Sequence, residues 1–378
     1  MRDGGFDAGD NRTTLLTEPA DVLRLAPEIE ELLQSSGKAG DLTLLPAYYL
    51  ARLRGYGKAP ALVAVRHGER LAGVVYGMES RVLGARVGYV VAGDACGEGA
   101  MVAPFELEPV VMAAAVRHWA TLRRIHTIFV RNKIEGTTVA KLAACLAEQG
   151  SSEDRVHYAA HPVRNHLVLA ATYPEFLASV GYHTRRNLRY YRRHGERRGW
   201  TFAPAVSPAE AQQALAELLP LARHGANSRH WPYFRDVLHS VSGARFAALR
   251  DVDGQWLSLI ATWRRGDQCT VLLQLNHAGF SRESVSTVLR ACLIENLIAQ
   301  GVSRLVFLGG CSAGLARYAV PEVCRSLRVE PRRPMWDLVK LAAFQILHRL
   351  SLRKPLQRLA LVASPPSRGG PGPGAPSG

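Results

Sequence analysis

The sequence lacks the patterns that mark several common protein classes. None of its six cysteines forms a CxxC pair, which excludes zinc ribbons and thioredoxin-like redox sites. No apolar, uncharged run reaches the roughly 18 residues of a transmembrane helix. The stretch Met1–Asn11 carries acids and no apolar segment, so no signal peptide is expected. A P-loop motif and a complete Rossmann glycine fingerprint are also missing, which argues against the nucleotide chemistry that depends on them.

Lysine is scarce, and acidic residues are too few to balance the arginines. Only six of the 47 basic residues are lysine, which leaves 41 arginines against 32 acidic residues and a net charge of +15. An excess of this size indicates an anionic partner such as phosphate, a nucleic acid or an acidic membrane surface. A high-GC bacterial genome would also favour arginine over lysine, so composition does not choose among these partners.

A diverged internal repeat organises the chain. Its 378 residues, 47% of them hydrophobic, suit two domains of roughly 150–180 residues. Each copy predicts a helix, a meander of three strands, a second helix and a final strand. The predicted segments are 44–53, 61–66, 71–78, 86–92, 108–122 and 126–130 in the first copy, and 208–223, 245–250, 256–263, 268–276, 283–300 and 304–308 in the second. This order differs from that of a doubly wound sheet and predicts a mixed α/β layer, twice.

The repeat and the composition set the expected domain boundaries. We expect a flexible leader over 1–20, an N-terminal domain over 21–165 and a C-terminal domain over 166–330. The segment 331–362 predicts an amphipathic helix, whose apolar face fits either packing on the second domain or contact with an anionic membrane surface. The stretch 363–378, rich in Pro, Gly and Ser, predicts a disordered tail.

The strongest local signal is a run of arginines between the two copies. A helix predicted over 184–198 carries seven of them, and at helical spacing Arg185, Arg189, Arg192 and Arg193 line one side. Because the forked donors of arginine match phosphate oxygens, such a row fits a polyanion or a pyrophosphate. A solvated helix face is the alternative, although few acids lie nearby to offset the repulsion among the arginines.

The start of the second helix in each copy is a candidate phosphate site. Unpaired backbone N–H groups and the positive end of the helix dipole bind phosphate there. In the second copy Ser284, Ser286 and Thr287 occupy this position, where serines also serve as plain N-caps. In the first copy the glycine-rich loop 97–100 is followed by Pro104 and a delayed helix.

Two further patterns support weaker hypotheses. The segment 310–314 matches GxSxG after a predicted strand and would expose Ser312 as a hydrolase nucleophile, but only Asp337 and His348 follow as triad partners. A glycine-rich turn that permits close backbone approach is the alternative. The three histidines between 157 and 166 share no helical face, so no metal is expected.

The stretch 182–189, YHTRRNLR, resembles the arginine-rich segment of BioF2-like acyltransferases, which belong to the GNAT superfamily and are similar to the FemAB peptidyltransferases. The resemblance continues through the second meander, the helix that ends at Gly301 and the strand 304–308 with its two glycines. It covers about 170–325, and residues 40–150 resemble a degenerate first half. It implies a mixed α/β (α+β) fold of two tandem GNAT-like domains, each a largely antiparallel sheet flanked by helices.

The resemblance also implies acyl transfer from a thioester or an aminoacyl-tRNA to an amine, with Gln268–Asn276 along the donor's pantetheine. The residues that it assigns to the donor are Ser284, Ser286, Thr287, Gly309 and Gly310. Those that it offers for acid–base or polar roles are His277, Glu295, Asn276 and Tyr318. Those that would bind the anionic part of a substrate are Arg185, Arg186, Arg189, Arg192 and Arg193.

The donor, the acceptor and the location follow as expectations. The segment Thr201–His239 is too short for the long helical arm of tRNA-dependent FemAB members, which favours acyl-CoA, without a metal, over charged tRNA. We therefore expect a cytoplasmic N-acyltransferase whose acceptor is an amine on a sugar or a lipid-linked envelope precursor, with peripheral membrane contact through 335–358. A tRNA-dependent transferase and a non-enzymatic pair that binds polyanions remain open.

Overall fold

The fold can be followed over most of the chain. The computed structural model describes residues 11–82, 85–94, 97–132, 155–222, 243–308, 311 and 313–331. All of these belong to one compact unit, Met1–Arg332. The segment 335–358 and the tail 363–378 lie outside the described residues, and no described helix is long and apolar enough to cross a membrane.

Fifteen strands and eight helices make up the described parts of the chain. The strands are β1 (Asn11–Leu16), β2 (Ala59–Pro60), β3 (Leu62–His67), β4 (Arg70–Val75), β5 (Gly77–Val82), β6 (Ala85–Ala92), β7 (Met101–Val102), β8 (Thr127–Asn132), β9 (Arg155–Val168), β10 (Thr201–Val206), β11 (Ala244–Arg250), β12 (Trp256–Arg265), β13 (Gln268–Asn276), β14 (Arg304–Phe307) and β15 (Val320–Glu330). The helices are α1 (Pro19–Ser35), α2 (Pro46–Tyr56), α3 (Glu108–Thr121), α4 (Tyr173–Ser179), α5 (Tyr182–Arg197), α6 (Pro208–Leu221), α7 (Val285–Ala299) and α8 (Ala313–Ala316).

The predicted repeat is present in the fold. In the second copy β11, β12 and β13 form an antiparallel meander, α7 crosses over, and β14 returns parallel to β13. In the first copy β3–β4 and β5–β6 are antiparallel pairs, and α3 connects β6 to the parallel strand β8. Parallel neighbours need a long crossover connection, so a helix is required at these two places. The prediction of a mixed α/β fold with largely antiparallel sheets flanked by helices is confirmed, and the predicted strand 71–78 is divided into β4 and β5, which belong to different sheets.

The two copies share one sheet because their last strands are exchanged. Strand β9, which follows the first copy, pairs with β14 of the second copy, whereas β15, at the end of the second copy, pairs with β8 of the first. β9 and β15 also pair with each other along most of their length. The result is an eleven-stranded sheet in the order β10-β11-β12-β13-β14-β9-β15-β8-β6-β5-β2, beside a four-stranded sheet β1-β3-β4-β7.

Helices cover both faces of the second copy's sheet. Leu257 of β12 belongs to the cluster that contains the apolar side of α7, whereas Leu259 belongs to the cluster that contains α6. This burial on both faces explains why β12 and β13 read as continuous apolar runs rather than as an alternation. Helix α7 ends at Gly301, whose φ of 74° suits glycine, as the sequence predicts.

The structure differs from the sequence predictions at two boundaries. Residues 11–16 of the predicted flexible leader form β1, which pairs along its whole length with β3. The strand supplies Leu15, which packs against the first core, and this burial explains why the segment is ordered. The predicted domain boundary at 165/166 falls inside β9, the strand that joins the two copies.

Candidate active site

The start of α7 is an open helix N-terminus. A short 3-10 turn, Ala278–Phe280, follows β13, and Ser284 then takes a left-handed conformation with φ of 53°. This conformation is unfavourable for a residue with a Cβ, and such positions concentrate at functional sites. Thr287 N–H donates to Ser284 O at 2.7 Å, but no described acceptor takes the N–H groups of Val285 and Ser286, and no side chain caps the helix. Those two N–H groups are therefore available to a ligand.

The corresponding helix start in the first copy has a different composition. Glu108 lies in the first turn of α3 and Pro109 follows it, so one N–H is replaced by a proline ring. Lys38 Nζ lies 2.5 Å from Glu108 Oε1 and donates to Ala103 O at 2.7 Å. An acidic side chain in the first turn disfavours a second anion there, and the first turn of α7 has no acidic residue.

A polar network joins the end of β13 to α7. Arg290 Nε donates to Gln274 Oε1 at 2.7 Å, and Gln274 Nε2 donates to Asn276 Oδ1 at 3.0 Å. Ser258 Oγ on β12 also donates to Asn276 Oδ1, at 2.6 Å. The sequence pattern indicated Asn276 but not Gln274 or Arg290. The available signal was the polar spacing of Gln274 and Asn276, two residues apart, at the end of an apolar strand.

The edge of β13 lies open beside this network because β14 is shorter than β13, and this edge is called the cleft below. All four residues of β14, Arg304–Phe307, pair with Gln268–Val271, while β13 continues to Asn276 without a described partner strand on this side. Cys311 N–H donates to Arg164 O on β9 at 3.3 Å. Burial raises the pKa of the Cys311 thiol to about 11, so this thiol is neutral near pH 7 and is no ready nucleophile.

The imidazole of His277 is held at the end of β13. Its Nδ1 accepts a hydrogen bond from Gly279 N–H at 3.0 Å, and its ring packs edge-on against Phe280 with centroids 4.9 Å apart. Its backbone N–H donates to Leu257 O at 2.9 Å. His277 and Asn276 therefore lie together with the start of α7.

The arginine helix presents two different faces. Leu188 and Gly195 are buried, and Arg192 lies on the same side because it is spaced four and three residues from them. The opposite side lines a cavity of about 780 Å³ with Tyr182, Arg185, Arg186, Arg189, Tyr190, Arg193, Glu196 and Arg197. Glu196 is the one acid among these lining residues, so the cavity wall is strongly positive.

Arg192 departs from the row in which the sequence places it. Its Nη1 lies 2.7 Å from Glu295 Oε2 on α7, its Nε donates to Glu196 Oε1 at 3.1 Å, and its guanidinium lies over the Tyr173 ring. The hydrogen bond to Glu295 raises the pKa of Arg192 further. Helical spacing explains the difference, since Arg185, Arg189 and Arg193 follow one another at intervals of four residues and Arg192 does not.

The structure divides the proposed polar residues into two groups. Asn276 and His277 lie at the start of α7, whereas Glu295 is nine residues from Ser286, or roughly 13 Å along the helix. Tyr318 belongs to neither group: its hydroxyl lies against Gly181, just before α5.

Gly309, Gly310 and Ser312 lie outside the described residues, and no described cluster of His, Cys, Asp and Glu could hold a metal ion.

Close packing between α5 and α7 depends on Gly195. A Cβ at this position would lie 3.1 Å from both Trp200 Cε3 and Val288 Cγ1. We expect Gly195→Leu to lower the free energy of unfolding by about 2–3 kcal/mol, since overpacked cores lose this much. Urea denaturation measures the change. Asn187→Leu adds the same side chain on the exposed side of α5 and is expected to change the free energy by less than about 0.5 kcal/mol. Equal effects of the two substitutions would contradict this packing.

Known proteins share this fold. Residues 183–318 match the family described as an acetyltransferase (GNAT) domain. The structure of FemX is similar with a TM-score of 0.51 at 12% identity, covering 83% of this chain and 96% of FemX. The C-terminal domain of a putative lysylphosphatidylglycerol synthetase from Agrobacterium fabrum has a TM-score of 0.50 at 14% identity, covering 87% and 98%. Identities this low show the fold alone, and no curated protein matches the sequence.

The repeat, the open start of α7, the extension of β13 beyond β14 and the family match agree with one another. The family match begins at His183, inside the arginine-rich segment, and ends at Tyr318, after the cleft. It therefore contains α5, the second meander, α7 and β14. Residues 183–318 thus match a GNAT acetyltransferase domain, and the chain shares its fold with FemX.

Proposed function

We propose that this enzyme transfers an acyl group from acyl-CoA, or a similar thioester, to an amine on a sugar or a lipid-linked cell-envelope precursor. The observation that carries the proposal is the open N-terminus of α7, where two backbone N–H groups have no described acceptor. The contrast with α3, whose first turn contains the acidic Glu108 and Pro109, supports a donor site in the second copy.

The donor's phosphates would bind at the start of α7. The N–H groups of Val285 and Ser286, the hydroxyls of Ser284, Ser286 and Thr287 and the helix dipole together favour a pyrophosphate. The pantetheine would then follow the part of β13 beyond its pairing with β14, as the backbone of a strand left unpaired on one side offers N–H and C=O groups to a ligand. Gly309 and Gly310 are proposed to border this path.

Acyl transfer to an amine depends more on how the enzyme orients the amine and the thioester than on a nucleophilic side chain. The acceptor nitrogen attacks the thioester carbonyl, the carbon–sulfur bond breaks, and the thiolate leaves with the proton that the amine gives up. Backbone donors in the cleft would stabilise the oxyanion, and orientation of the two substrates would supply much of the rate. His277 and Asn276 lie at the start of α7, and we propose them ahead of Glu295, which is engaged by Arg192, and Tyr318.

The arginine-lined cavity would hold an anionic part of the acceptor. Five arginines and two tyrosines line its described wall, and guanidinium groups bind phosphate in bidentate geometry. The Agrobacterium relative is named for lysylphosphatidylglycerol, a lipid with a phosphate, and this name supports a lipid-linked acceptor. A cytoplasmic enzyme with peripheral membrane contact is consistent with such an acceptor and with a CoA donor.

Thermal stability with a panel of acyl-CoA esters tests the donor. A ligand at about 100 times its Kd should add about 2.7 kcal/mol to the free energy of unfolding. S-acetyl pantetheine, which lacks the nucleotide and its phosphates, is the matched control and should stabilise the protein far less. If no thioester stabilises the folded protein, the CoA proposal is wrong.

An aminoacyl-tRNA donor is the second candidate because the arginine cavity also suits a nucleic acid backbone. Charged tRNA should then bind with a steep salt dependence and support transfer of the aminoacyl group to the acceptor. Salt-dependent tRNA binding without transfer from either donor would instead indicate a non-enzymatic polyanion binder.

A further inference from the structure

Arg290 places a positive charge beside the cleft, and no carboxylate of the described residues pairs with it. It lies on α7, four residues after Ser286, or roughly 6 Å further along the helix. Its Nε donates to Gln274 Oε1, and its guanidinium carbon lies 5.7 Å from the centre of the Phe307 ring. No described Asp or Glu lies within ion-pair distance of it.

The surroundings of Arg290 are unfavourable for a bare cation. Burial lowers its pKa, in contrast to Arg192, whose pKa is raised by the carboxylate of Glu295. An ionised Cys311 would stabilise the Arg290 cation, but burial raises the pKa of this thiol and keeps it neutral near pH 7. A half-buried charge whose described partners are a neutral amide and an aromatic ring loses solvation that these partners do not restore. An anionic ligand would recover it.

Gln274 determines which donors of Arg290 remain for a ligand. A guanidinium has five N–H groups, and the single Nε–H is already donated to Gln274. The remaining four belong to the two terminal nitrogens, whose fork geometry fits the two oxygens of a carboxylate. Gln274 is itself oriented by Asn276 and by Ser286 O, which accepts from Gln274 Nε2 at 3.4 Å. The fork is thus fixed before a ligand arrives.

A second unpaired polar group lies on the neighbouring strand. Asn165 on β9 is fully buried, and neither polar atom of its amide has a partner among the described residues. The antiparallel register that pairs His166 with Val306 places Asn165 opposite Phe307 when it is continued by one residue. Because directly opposed residues of an antiparallel pair share one face of the sheet, Asn165 and Phe307 lie on the same face.

We propose that Arg290, oriented by Gln274, forms a carboxylate-binding site in the cleft between β13 and β14. This inference rests on the proposed function and deepens it, because a carboxylate here belongs to a reacting substrate. The site lies beyond the phosphate end of the donor, so its ligand is either a carboxylate on the acyl group or the carboxylate of an amino-acid acceptor. Both sources share the same chemistry, and the experiment separates them.

The experiment compares wild type with Arg290→Met, which removes the charge, and Arg290→Lys, which keeps the charge but loses the fork. Succinyl-CoA and butyryl-CoA form a matched pair for the acyl source, and glycine and glycinamide form one for the acceptor source. Titration calorimetry measures the affinity ratio for the thioesters, and amide formation from acetyl-CoA measures the ratio of kcat/KM for the acceptors. Thermal melts show that each variant is folded.

In wild type, either the affinity for succinyl-CoA over butyryl-CoA or the kcat/KM for glycine over glycinamide should be about 10- to 150-fold higher. This is the range for a hydrogen bond to a charged group. The ratio should fall close to one in Arg290→Met and be partly retained in Arg290→Lys. Ratios that are the same in wild type and Arg290→Met would overturn the proposal. If wild type binds no thioester, the proposed function fails. The carboxylate site is then tested with free succinate and its diamide, succinamide. Stabilisation by succinate but not by succinamide, present in wild type and lost in Arg290→Met, supports the site, and equal effects of the two compounds overturn it.

Discussion

Ser286→Glu is expected to weaken acyl-CoA binding by about a hundredfold. A carboxylate at this position would stand in the first turn of α7, beside the N–H groups proposed to hold the pyrophosphate. Two unit charges of like sign about 6 Å apart repel by about 2.8 kcal/mol at an effective dielectric constant of 20. The same carboxylate interacts favourably with the helix dipole, so the unliganded protein should be as stable as wild type or up to about 1 kcal/mol more stable. Titration calorimetry and thermal melts measure the two effects.

Ser286→Gln is the matched control for this charge. It has nearly the same size as the glutamate variant and should retain most of the affinity, since the backbone N–H groups remain. Equal losses in both variants would mean that bulk, not charge, weakens binding. Unchanged affinity in Ser286→Glu would contradict a phosphate site at the start of α7.

Removing three arginines from the cavity wall is expected to raise the KM for an anionic acceptor by about a hundredfold. The variant is Arg186→Gln, Arg189→Gln and Arg193→Gln, three exposed residues of α5. Exposed ion pairs contribute up to about 1 kcal/mol each, and about 3 kcal/mol corresponds to roughly two orders of magnitude in affinity. The salt dependence of KM should also become shallower, because fewer charges are screened. Steady-state kinetics at several ionic strengths measure both effects.

The control for this variant removes three exposed arginines from other parts of the fold, Arg12, Arg70 and Arg304. This second variant has the same net charge but leaves the cavity intact, so its KM should stay within a few-fold of wild type. Similar KM values for the two variants would show that net charge, rather than the cavity, attracts the acceptor. If both triple variants bind acyl-CoA as tightly as wild type does, the donor site is separate from the arginine cavity.

The elements of each copy were accessible from local sequence patterns. Glycine and Asp turns mark the hairpins, and β13 was predicted at its observed bounds, because apolar runs between such turns identify buried strands. The exchange of β9 and β15 was not predicted. β9 pairs with β14 and β15 pairs with β8, and these partners are far apart in the sequence. Such pairing depends on which strand edges remain unpaired when the sheet assembles, and the local sequence pattern contains no information about those edges.

The candidate site was predictable in part. Ser284 and Ser286 follow from the position of a helix start after a strand, and the cationic side of α5 follows from the spacing of its arginines. The sequence suggested Arg192 as a binding residue and Glu295 as a catalytic residue. In the structure Arg192 on α5 forms an ion pair with Glu295 on α7. Gln274 and Arg290 were missed, because a single polar residue in an apolar strand and a single arginine in a helix carry no signal until packing brings them together.

A crystal structure of the protein with acetyl-CoA is the decisive test of a donor site at the start of α7. We expect the pyrophosphate within about 2.7–3.2 Å of the Val285 and Ser286 nitrogens and the thioester in the cleft beside β13, with the arginine cavity free for an acceptor. Pyrophosphate bound by the arginines of α5, with the start of α7 still open, would contradict it.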